Sequence, residues 1–460
     1  MTRHLKTGNG FTSRFGLLMA AVGSTIGLGN IWKFPYVAGE NGGGAFLMVY
    51  LVCVIFFGVP LLIAEMVIGK STRKSVYGAY STLSKQKAWR ALGYLGVTTA
   101  IVMNSYYFVV TGWCFEYFLL ALKNAFEGLD TAALSTQFST FIGRPWLPVI
   151  LSVVSLMMTS SILWFGVSKG IERLSRILTP LLFLILIILA IKILTIDGSS
   201  EGLKFFFHPD FSKLTPRTVL EAMVQCFFSL SVGLGCIVTY GAYMPEKQSI
   251  LGTSCQIVAL DTLVAIIAGI VIFPAVFAFG FNPAEGTQLV FVVMPAIFQN
   301  ITFGYITGIL FFMLLFIAAL TSTISMLEVA VAFITEATET NNKPIRRRSA
   351  IVIVSAIMIA LFIPCSLSIT GLYDNLTIDG KTLFYWYDLV NVKVLMPCGA
   401  LALTLFIGWF VDRKKSEQAL LMHSSKKQTW YTHLFFFLVR FIVPAIVILI
   451  FLNGFGIIHI

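Results

Sequence analysis

Charged side chains are scarce in this 460-residue chain: 12% of the residues are Asp, Glu, Lys or Arg, whereas 57% are hydrophobic and 41 are phenylalanine. This composition excludes a soluble globular protein, whose surface needs about twice that share of charge. It is typical of a protein that crosses a membrane many times. The net charge is +11, but no folded basic domain exists to carry it, so we do not expect nucleic-acid binding.

Histidine and cysteine are also scarce. The five histidines fall in tails, loops or span ends, so the apolar spans lack the nucleophile and base, or the metal cluster, that a membrane-embedded enzyme needs. All seven cysteines fall within apolar runs, where we expect small core residues and not a disulfide framework. The sequence therefore argues against an enzyme.

Long apolar runs dominate the chain. A helix needs about 20 mostly apolar residues to cross a hydrocarbon core of about 30 Å. The first run contains polar groups and no small-residue cleavage site, so we expect it to remain in the mature chain. Eleven runs of this kind lie near residues 14–37, 45–69, 91–122, 147–166, 170–195, 217–244, 254–281, 304–337, 348–366, 384–411 and 432–453.

Basic residues predict the orientation, because short cytoplasmic loops are enriched in Lys and Arg. They cluster at the N-terminus and in the second-to-third, eighth-to-ninth and tenth-to-eleventh loops. We therefore expect a multi-pass protein of the plasma membrane with a cytoplasmic N-terminus and, after eleven spans, an extracytoplasmic C-terminus. The residues are Arg3, Lys6, Arg14, Lys70, Arg73, Lys74, Lys85, Lys87, Arg90, Lys343, Arg346, Arg347, Arg348, Arg413, Lys414, Lys415, Lys426 and Lys427.

Three glycines and a polar cluster interrupt the first span at residues 20–30. Hydrocarbon offers backbone groups no water, so an unwound stretch survives there only where protein, ions or a ligand satisfy its N–H and C=O groups. The alternative is that Gly23 and Gly27 form a small-residue contact between packed helices. The first interpretation predicts a binding site.

Glycines and hydroxyl side chains interrupt the sixth span as well, over residues 227–235. The two breaks are five spans apart, which matches a five-plus-five inverted repeat whose broken helices meet near the bilayer midplane. We therefore predict an all-α polytopic membrane protein with one transporter domain over residues 1–460. Its first repeat covers residues 11–195, its second repeat covers 217–411, and an extra eleventh helix covers 430–460.

The residues around both breaks resemble the neurotransmitter:sodium symporter family over about residues 11–411. The eleven-span form looks like the bacterial amino-acid branch of that family. The resemblance rests on Pro35, Glu40, Asn41, Gly42, Gly43, Gly44, Ala45 and Phe46 after the first break, Gly58, Val59, Pro60 and Glu65 in the second span, Tyr106 and Tyr107 in the third, residues 229–243 in the sixth, and Ala318, Ala319, Leu320, Thr321 and Ser322 in the eighth.

The resemblance implies a substrate site between the breaks. Free N–H groups at Leu28 and Gly29, at the positive end of a half-helix, suit a carboxylate, and Tyr107 adds a hydroxyl. The carbonyls of Thr25, Phe228 and Ser229 and the Ser231 hydroxyl would face an ammonium group.

Family members that carry amines have an aspartate at the position of Gly27, so here the ligand must bring its own carboxylate. The predicted substrate is thus a zwitterionic amino acid. Its side chain would lie among Ser24, Met103, Tyr107, Phe228, Leu234, Ser322 and Met326, which favours a hydrophobic amino acid of Leu to Trp size.

By the same resemblance we expect two sodium ions, which prefer carbonyl and hydroxyl oxygens. The first site would use Thr25, Asn30, Ser229, Asp261 and the substrate carboxylate. The second would use Gly23, Ile26, Ala318, Thr321 and Ser322.

Asp261 departs from the asparagine that the best-studied members have, and Ala265 stands where chloride-dependent members have serine. A carboxylate inside a membrane is costly and marks a functional site. We expect Asp261 to supply the negative charge that chloride supplies elsewhere, so that transport needs no chloride. The alternative is a protonated carboxyl group in the core.

Gating residues follow from the resemblance. Lys33 and Asp388 are expected to pair across the outer vestibule, although the alignment of Asp388 could slip to Asn391. Tyr243 and Glu336 are expected at the cytoplasmic gate, whose usual Arg falls on Gly8, with Lys6 or Arg3 as substitutes.

Gly170 and Pro180 in the fifth span weaken the helix ladder. They predict local unwinding that opens a water path to the second sodium site, or a routine interfacial kink.

Three rival functions remain. A proton-coupled amino-acid transporter of the same architecture would titrate Asp261 or Glu65, although we expect Glu65 to brace the first break through backbone N–H groups. A receptor would bind the substrate without moving it. A channel would need a continuous pore, whereas these motifs build a closed site. The sequence does not predict the oligomeric state.

Overall fold

The computed structural model describes residues 10–284, 286, 289–340, 342–373, 376–421 and 429–454. Within these residues, nine helices are long and apolar enough to cross a membrane, and one bent pair of helices adds a tenth. They correspond to the first five and last five predicted spans. The nine helices are Gly44–Thr72, Lys87–Leu122, Leu147–Trp164, Val167–Leu194, Ile250–Ala278, Gly304–Thr340, Arg347–Ser368, Leu383–Phe410 and Trp430–Gly454.

The first span is the bent pair, and it breaks where its glycines cluster. Helix Arg14–Thr25 ends because Ile26 adopts an extended backbone, with φ −72° and ψ 100°. The second half, Gly29–Glu40, continues at 49° to the first. It begins with a π-helical turn, Gly29–Lys33, and continues as α-helix Phe34–Glu40. The predicted interruption of the first span is therefore present.

The sixth span is broken more widely, into helices Pro216–Ser229 and Cys236–Ala242. The intervening residues Ser231, Gly233 and Gly235 have positive φ angles of 53°, 85° and 76°. Glycine accepts such angles freely, whereas a serine there is uncommon. Neither half is long enough to cross a membrane by itself. The described helices that pass a length and hydropathy test therefore account for ten of the eleven predicted spans, and the sixth consists of two shorter helices.

The broken spans lie inside a frame of long helices. The third and eighth spans, Lys87–Leu122 and Gly304–Thr340, make the most extensive contact between two helices. Arg14–Thr25 packs on the fifth, seventh and eighth spans, and Cys236–Ala242 packs on the second. The two unwound stretches are therefore buried in protein, as irregular backbone at membrane depth must be.

Shorter elements connect the spans. A two-stranded antiparallel hairpin pairs Thr377 with Thr382 and Ile378 with Lys381. The helices outside the spans are Val76–Leu83, Thr131–Gly143, Ser199–Phe207, Leu289–Gln299 and Arg413–Leu421, with a 3₁₀ turn at Phe211–Lys213.

Candidate functional site

The two breaks meet at a hydrogen-bonded cluster of buried polar residues. Asn30 donates from Nδ2 to Ser229 Oγ at 3.0 Å and to the backbone oxygen of Asp261 at 3.1 Å. Ser229 in turn donates to Asp261 Oδ2 at 2.6 Å. Asn30 and Asp261 are fully buried and Ser229 is nearly so. The cluster therefore joins the first, sixth and seventh spans at one point.

This cluster contains the residues predicted for the first sodium site. Asp261 Oδ1 is buried and accepts no hydrogen bond from the described residues, and Thr25 lies within interaction distance of the same carboxylate. An unsatisfied buried carboxylate oxygen is costly. A hard cation with oxygen ligands would satisfy it, so the donor set fits sodium.

The expected carboxylate-binding end of the site is also assembled. The backbone N–H of Leu28 donates to Tyr107 Oη at 2.8 Å, which leaves the hydroxyl proton of Tyr107 free to donate. Gln225 donates to the carbonyl oxygen of Gly29 at 2.8 Å. A Cβ added at Gly29 would lie 2.9 Å from the Phe228 ring, so Phe228 covers this backbone closely.

The second predicted sodium site is brought together between the first and eighth spans. A Cβ added at Gly23 would lie 3.5 Å from Thr321 Cβ. Thr321 donates to the Ala318 carbonyl at 3.0 Å, and Ser322 contacts the same carbonyl at 3.2 Å. Ile26 is the fully buried residue at which the first helix ends. The hydroxyls of Thr321 and Ser322 and the Ala318 carbonyl therefore lie together, with Thr321 beside Gly23.

The residues predicted around the substrate side chain are buried next to these sites. Ser231 and Ser322 contact the Ser24 carbonyl at 3.5 and 3.4 Å. Met103 and Met326 are each four residues, one helical turn, from Tyr107 and Ser322. Leu234 lies in the unwound stretch of the sixth span. The buried residues are Ser24, Met103, Leu234, Ser322 and Met326.

Gly27 occupies a place with no room for a side chain. A Cβ added there would lie 2.5 Å from both Ser322 Oγ and Tyr107 Oη. We expect Gly27→Ala to weaken binding of radiolabelled amino acid about tenfold or more, because overpacking must displace one of these hydroxyls. Gly143→Ala is the matched control, since its Cβ would meet nothing within 4 Å. Unchanged binding in Gly27→Ala would contradict the assigned site.

A cavity of about 320 Å³ lies on one side of the site. Lys33 and Asp388 both line it, but the ion pair predicted between them is not formed among the described residues. Lys33 Nζ instead lies 4.0 Å above the centre of the Phe228 ring, a cation–π contact. Lys33 therefore holds the predicted aromatic lid.

On the other side of the site, Tyr243 pairs with Glu328, a carboxylate that was not among the predicted gate residues. Tyr243 donates to Glu328 Oε1 at 2.8 Å. Arg347 donates from Nη1 to Glu328 Oε1 at 2.8 Å and from Nη2 to Glu328 Oε2 at 2.5 Å. Glu336 instead accepts from the N–H of Ser75 at 2.6 Å, where it caps helix Val76–Leu83. Tyr243 and Glu336, both predicted at this gate, therefore bind different partners.

The N-terminal segment adds to this closed side. Phe11 donates its N–H to the Tyr243 carbonyl at 3.1 Å and packs edge-on against Tyr240. The basic substitutes expected here, Lys6 and Arg3, and Gly8 lie outside the described residues. Within the described residues, Arg347 supplies the positive charge of the gate.

The fifth span begins with a π-helical turn, Val167–Glu172, and continues as α-helix Arg173–Leu194 around Pro180. Gly170 is buried, and a Cβ there would clash with the Ile162 carbonyl. The span is helical between Gly170 and Pro180, so their predicted unwinding stays a prediction. Pro180 follows Thr179, whose hydroxyl donates to the backbone carbonyl of Met19 at 2.9 Å.

Three contacts of the site were not predicted from the sequence. Glu65 binds the N–H of Gly233 at 2.7 Å, so it braces the break in the sixth span and not the one in the first. Thr179 faces Gly23, whose added Cβ would lie 2.7 Å from its hydroxyl. Gln225 holds Gly29 from the sixth span. In each of these three contacts, the sequence feature that could have indicated it was a polar residue within an apolar run.

The profile of the Sodium:neurotransmitter symporter family matches residues 9–140 and 133–458. The chain belongs to this family. This symporter is 39% identical over 447 residues to the uncharacterized sodium-dependent transporter YhdH of Bacillus subtilis, covering 97% of this chain and 98% of the relative. An uncharacterized sodium-dependent transporter of Haemophilus influenzae is 33% identical over 468 residues, 99% of this chain and 100% of the relative.

A solved structure has the same fold as this symporter. The crystal structure of MhsT in complex with L-phenylalanine superposes with a TM-score of 0.88 at 39% identity, covering 97% of this chain and 99% of that one. The inverted-repeat architecture with two broken helices is therefore established for this symporter.

Proposed function

We propose that this symporter imports a hydrophobic L-amino acid by alternating access, with two sodium ions and without chloride. One observation carries the proposal: Asn30, Ser229 and Asp261 bring both helix breaks together, and an unpartnered buried carboxylate oxygen remains at their centre. A sodium ion and the carboxylate of an amino acid complement that arrangement. Membership of a sodium symporter family and the sodium-dependent relatives support the same function.

The two sides of the site suggest the direction of transport. The 320 Å³ cavity lies on the side of Lys33 and Asp388, while Tyr243, Glu328 and Arg347 close the other side. The loops rich in Lys and Arg lie with the Arg347 side, which we assign to the cytoplasm by their charge. The cavity would then face outward and receive the substrate.

The substrate class follows from the residues beside the site. Met103, Leu234 and Met326 are buried and present an adaptable apolar surface. MhsT was crystallised with L-phenylalanine, which agrees with an apolar amino acid. The absence of a side chain at Gly27 leaves the substrate carboxylate to complete the first sodium site.

The deciding experiment is scintillation-proximity binding of tritiated leucine and phenylalanine to purified protein, with and without sodium, chased by each unlabelled amino acid. Sodium-dependent binding displaced by apolar amino acids is the expected result. Binding that follows pH and ignores sodium would favour the proton-coupled rival. Counterflow in liposomes separates a transporter, which exchanges labelled substrate, from a receptor, which does not.

We further propose that the fifth span unwinds between Gly170 and Pro180 to release sodium from the second site. Pro180 leaves the helix ladder short of one donor, and Thr179 beside it reaches the first span. We expect Pro180→Ala to leave sodium-dependent binding intact and to slow uptake about threefold or more, because the repaired helix opens less readily. Initial rates of uptake into proteoliposomes measure this. Uptake and binding equal to those of the wild type in Pro180→Ala would contradict the proposal.

A substitution at Gly170 is less informative, since a Cβ added there would clash with the Ile162 carbonyl even in the intact helix.

A further inference from the structure

A positively charged side chain lies on the exposed side of the eleventh span. Arg440 is exposed within Trp430–Gly454, and its neighbours Phe437 and Phe441 are 51% and 49% exposed. Exposed aromatic side chains on a membrane-spanning helix face lipid. An unpaired charge is costly in such a place and marks a functional contact.

Helix packing gives the depth of Arg440. A Cβ added at Gly408 would lie 3.1 Å from the Cα of Arg440, so the eleventh span touches the last turn of the tenth, which ends at Phe410. Trp409 donates to the Arg440 carbonyl at 3.3 Å, and the guanidinium lies 4.0 Å above the Trp409 ring. Tryptophan at the end of a span marks the lipid headgroup boundary. Arg440 therefore lies at the depth of the last turn of the tenth span, from which its long side chain can reach the lipid headgroups.

The described protein offers the Arg440 guanidinium no carboxylate. The ion pairs of the described residues do not include it, and the nearby Glu417 pairs with Arg413 at 3.7 Å. Arg413 also contacts His433 at 2.9 Å, two helical turns before Arg440. No ion pair of the described residues therefore occupies the guanidinium, which is left available.

We propose that the surface formed by Trp409, Phe437, Arg440 and Phe441, the Arg440 surface, binds the phosphate of an anionic phospholipid. A guanidinium presents a planar fork to two phosphate oxygens, and stacking on Trp409 orients that fork. The exposed rings of Phe437 and Phe441 lie along the acyl chains. Basic pockets between membrane helices bind anionic headgroups in the same manner.

Native mass spectrometry of delipidated protein, mixed with phosphatidylglycerol or with phosphatidylcholine of the same acyl chains, tests the proposal. We expect Arg440→Gln to lower occupancy by phosphatidylglycerol at least about fivefold and to leave phosphatidylcholine unchanged. Arg90→Gln is the matched control, because Arg90 is also exposed near the start of the span Lys87–Leu122 but stacks on no aromatic ring among the described residues. Phosphatidylglycerol should raise the melting temperature of the wild type and of Arg90→Gln, but not of Arg440→Gln.

Three outcomes would overturn the proposal. Equal loss of phosphatidylglycerol in both variants would mean unspecific attraction between the protein and anionic lipid. The same stabilisation by inorganic phosphate would identify free phosphate, and not a lipid, as the ligand. Unchanged lipid binding together with a lower oligomer mass in Arg440→Gln would assign the surface to a second copy of the chain. Sodium-dependent substrate binding by Arg440→Gln shows that the variant is folded.

Discussion

Replacing Asp261 by asparagine should lower sodium-dependent substrate binding roughly 100- to 1000-fold in chloride-free buffer. Asparagine keeps the volume of the side chain and can still accept the hydrogen bond from Ser229, but it removes the negative charge of the first sodium site. Two unit charges about 4 Å apart attract by roughly 4 kcal/mol at an effective dielectric constant of about 20. Since about 1.4 kcal/mol is a factor of ten in affinity, the loss is large.

Chloride should restore part of this binding once a hydroxyl ligand is provided for it at residue 265. Ala265 lies four residues after Asp261, one turn along helix Ile250–Ala278. We therefore expect the double variant Asp261→Asn with Ala265→Ser to bind substrate in sodium chloride and not in sodium gluconate. The wild type and Ala265→Ser should bind equally in both salts, since the fixed carboxylate already supplies the charge.

Sodium titrations of radioligand binding in the two salts measure these effects. Size-exclusion profiles establish that each variant is folded. The charge assignment fails if Asp261→Asn keeps wild-type sodium affinity in gluconate. It also fails if wild-type binding collapses when gluconate replaces chloride.

The helix breaks were predictable from the sequence because they depend on local backbone chemistry. Glycines in an apolar run predict unwinding wherever they occur, and Gly233 and Gly235 do adopt positive φ angles. The spacing of five spans then places the breaks together by symmetry. The hydrogen bonds from Asn30 to Ser229 and Asp261 agree with that prediction.

The partner of Tyr243 was not predictable by the same means. Glu328 and Glu336 lie eight residues apart on one helix, about two turns along its axis and about 80° around it. Only the packing of Arg347 from the next span selects Glu328. Sequence position alone carries no information about that contact, because it depends on how a loop returns to the bundle.

Glu65 illustrates the same limit. A buried glutamate in the second span was expected to bind backbone N–H groups, and it does so at Gly233. Which of the two breaks it reaches depends on the position of the second span in the bundle, since 168 residues separate the partners. Local rules predicted the chemistry of this contact, and tertiary packing decided its place.

Removing the charge of Arg347 should destabilise the protein strongly, by about 3–5 kcal/mol, because it leaves a buried carboxylate without its counter-ion. The side chain of Glu328 is fully buried, whereas that of Arg347 is 25% exposed. Glu328→Gln should therefore cost less than Arg347→Gln, since the freed guanidinium still reaches water. Arg348→Gln is the control, because that neighbouring side chain is exposed.

The double variant Glu328→Gln with Arg347→Gln separates stability from gating. With both charges removed, neither member of the pair is left as a buried unpaired charge, so we expect melting in detergent close to that of Arg348→Gln. The closed side of the site would then lack its bidentate ion pair and keep the contacts of Tyr243 and Phe11.

Uptake into proteoliposomes should therefore fall about tenfold or more in the double variant while sodium-dependent binding of substrate is preserved, because the site still assembles but its Arg347 side closes poorly. A single Arg347→Gln variant that melts with the control would contradict the buried-charge argument. A stable double variant with wild-type uptake would show that the ion pair is structural, and the gate would then rest on the packing of Phe11 against Tyr240.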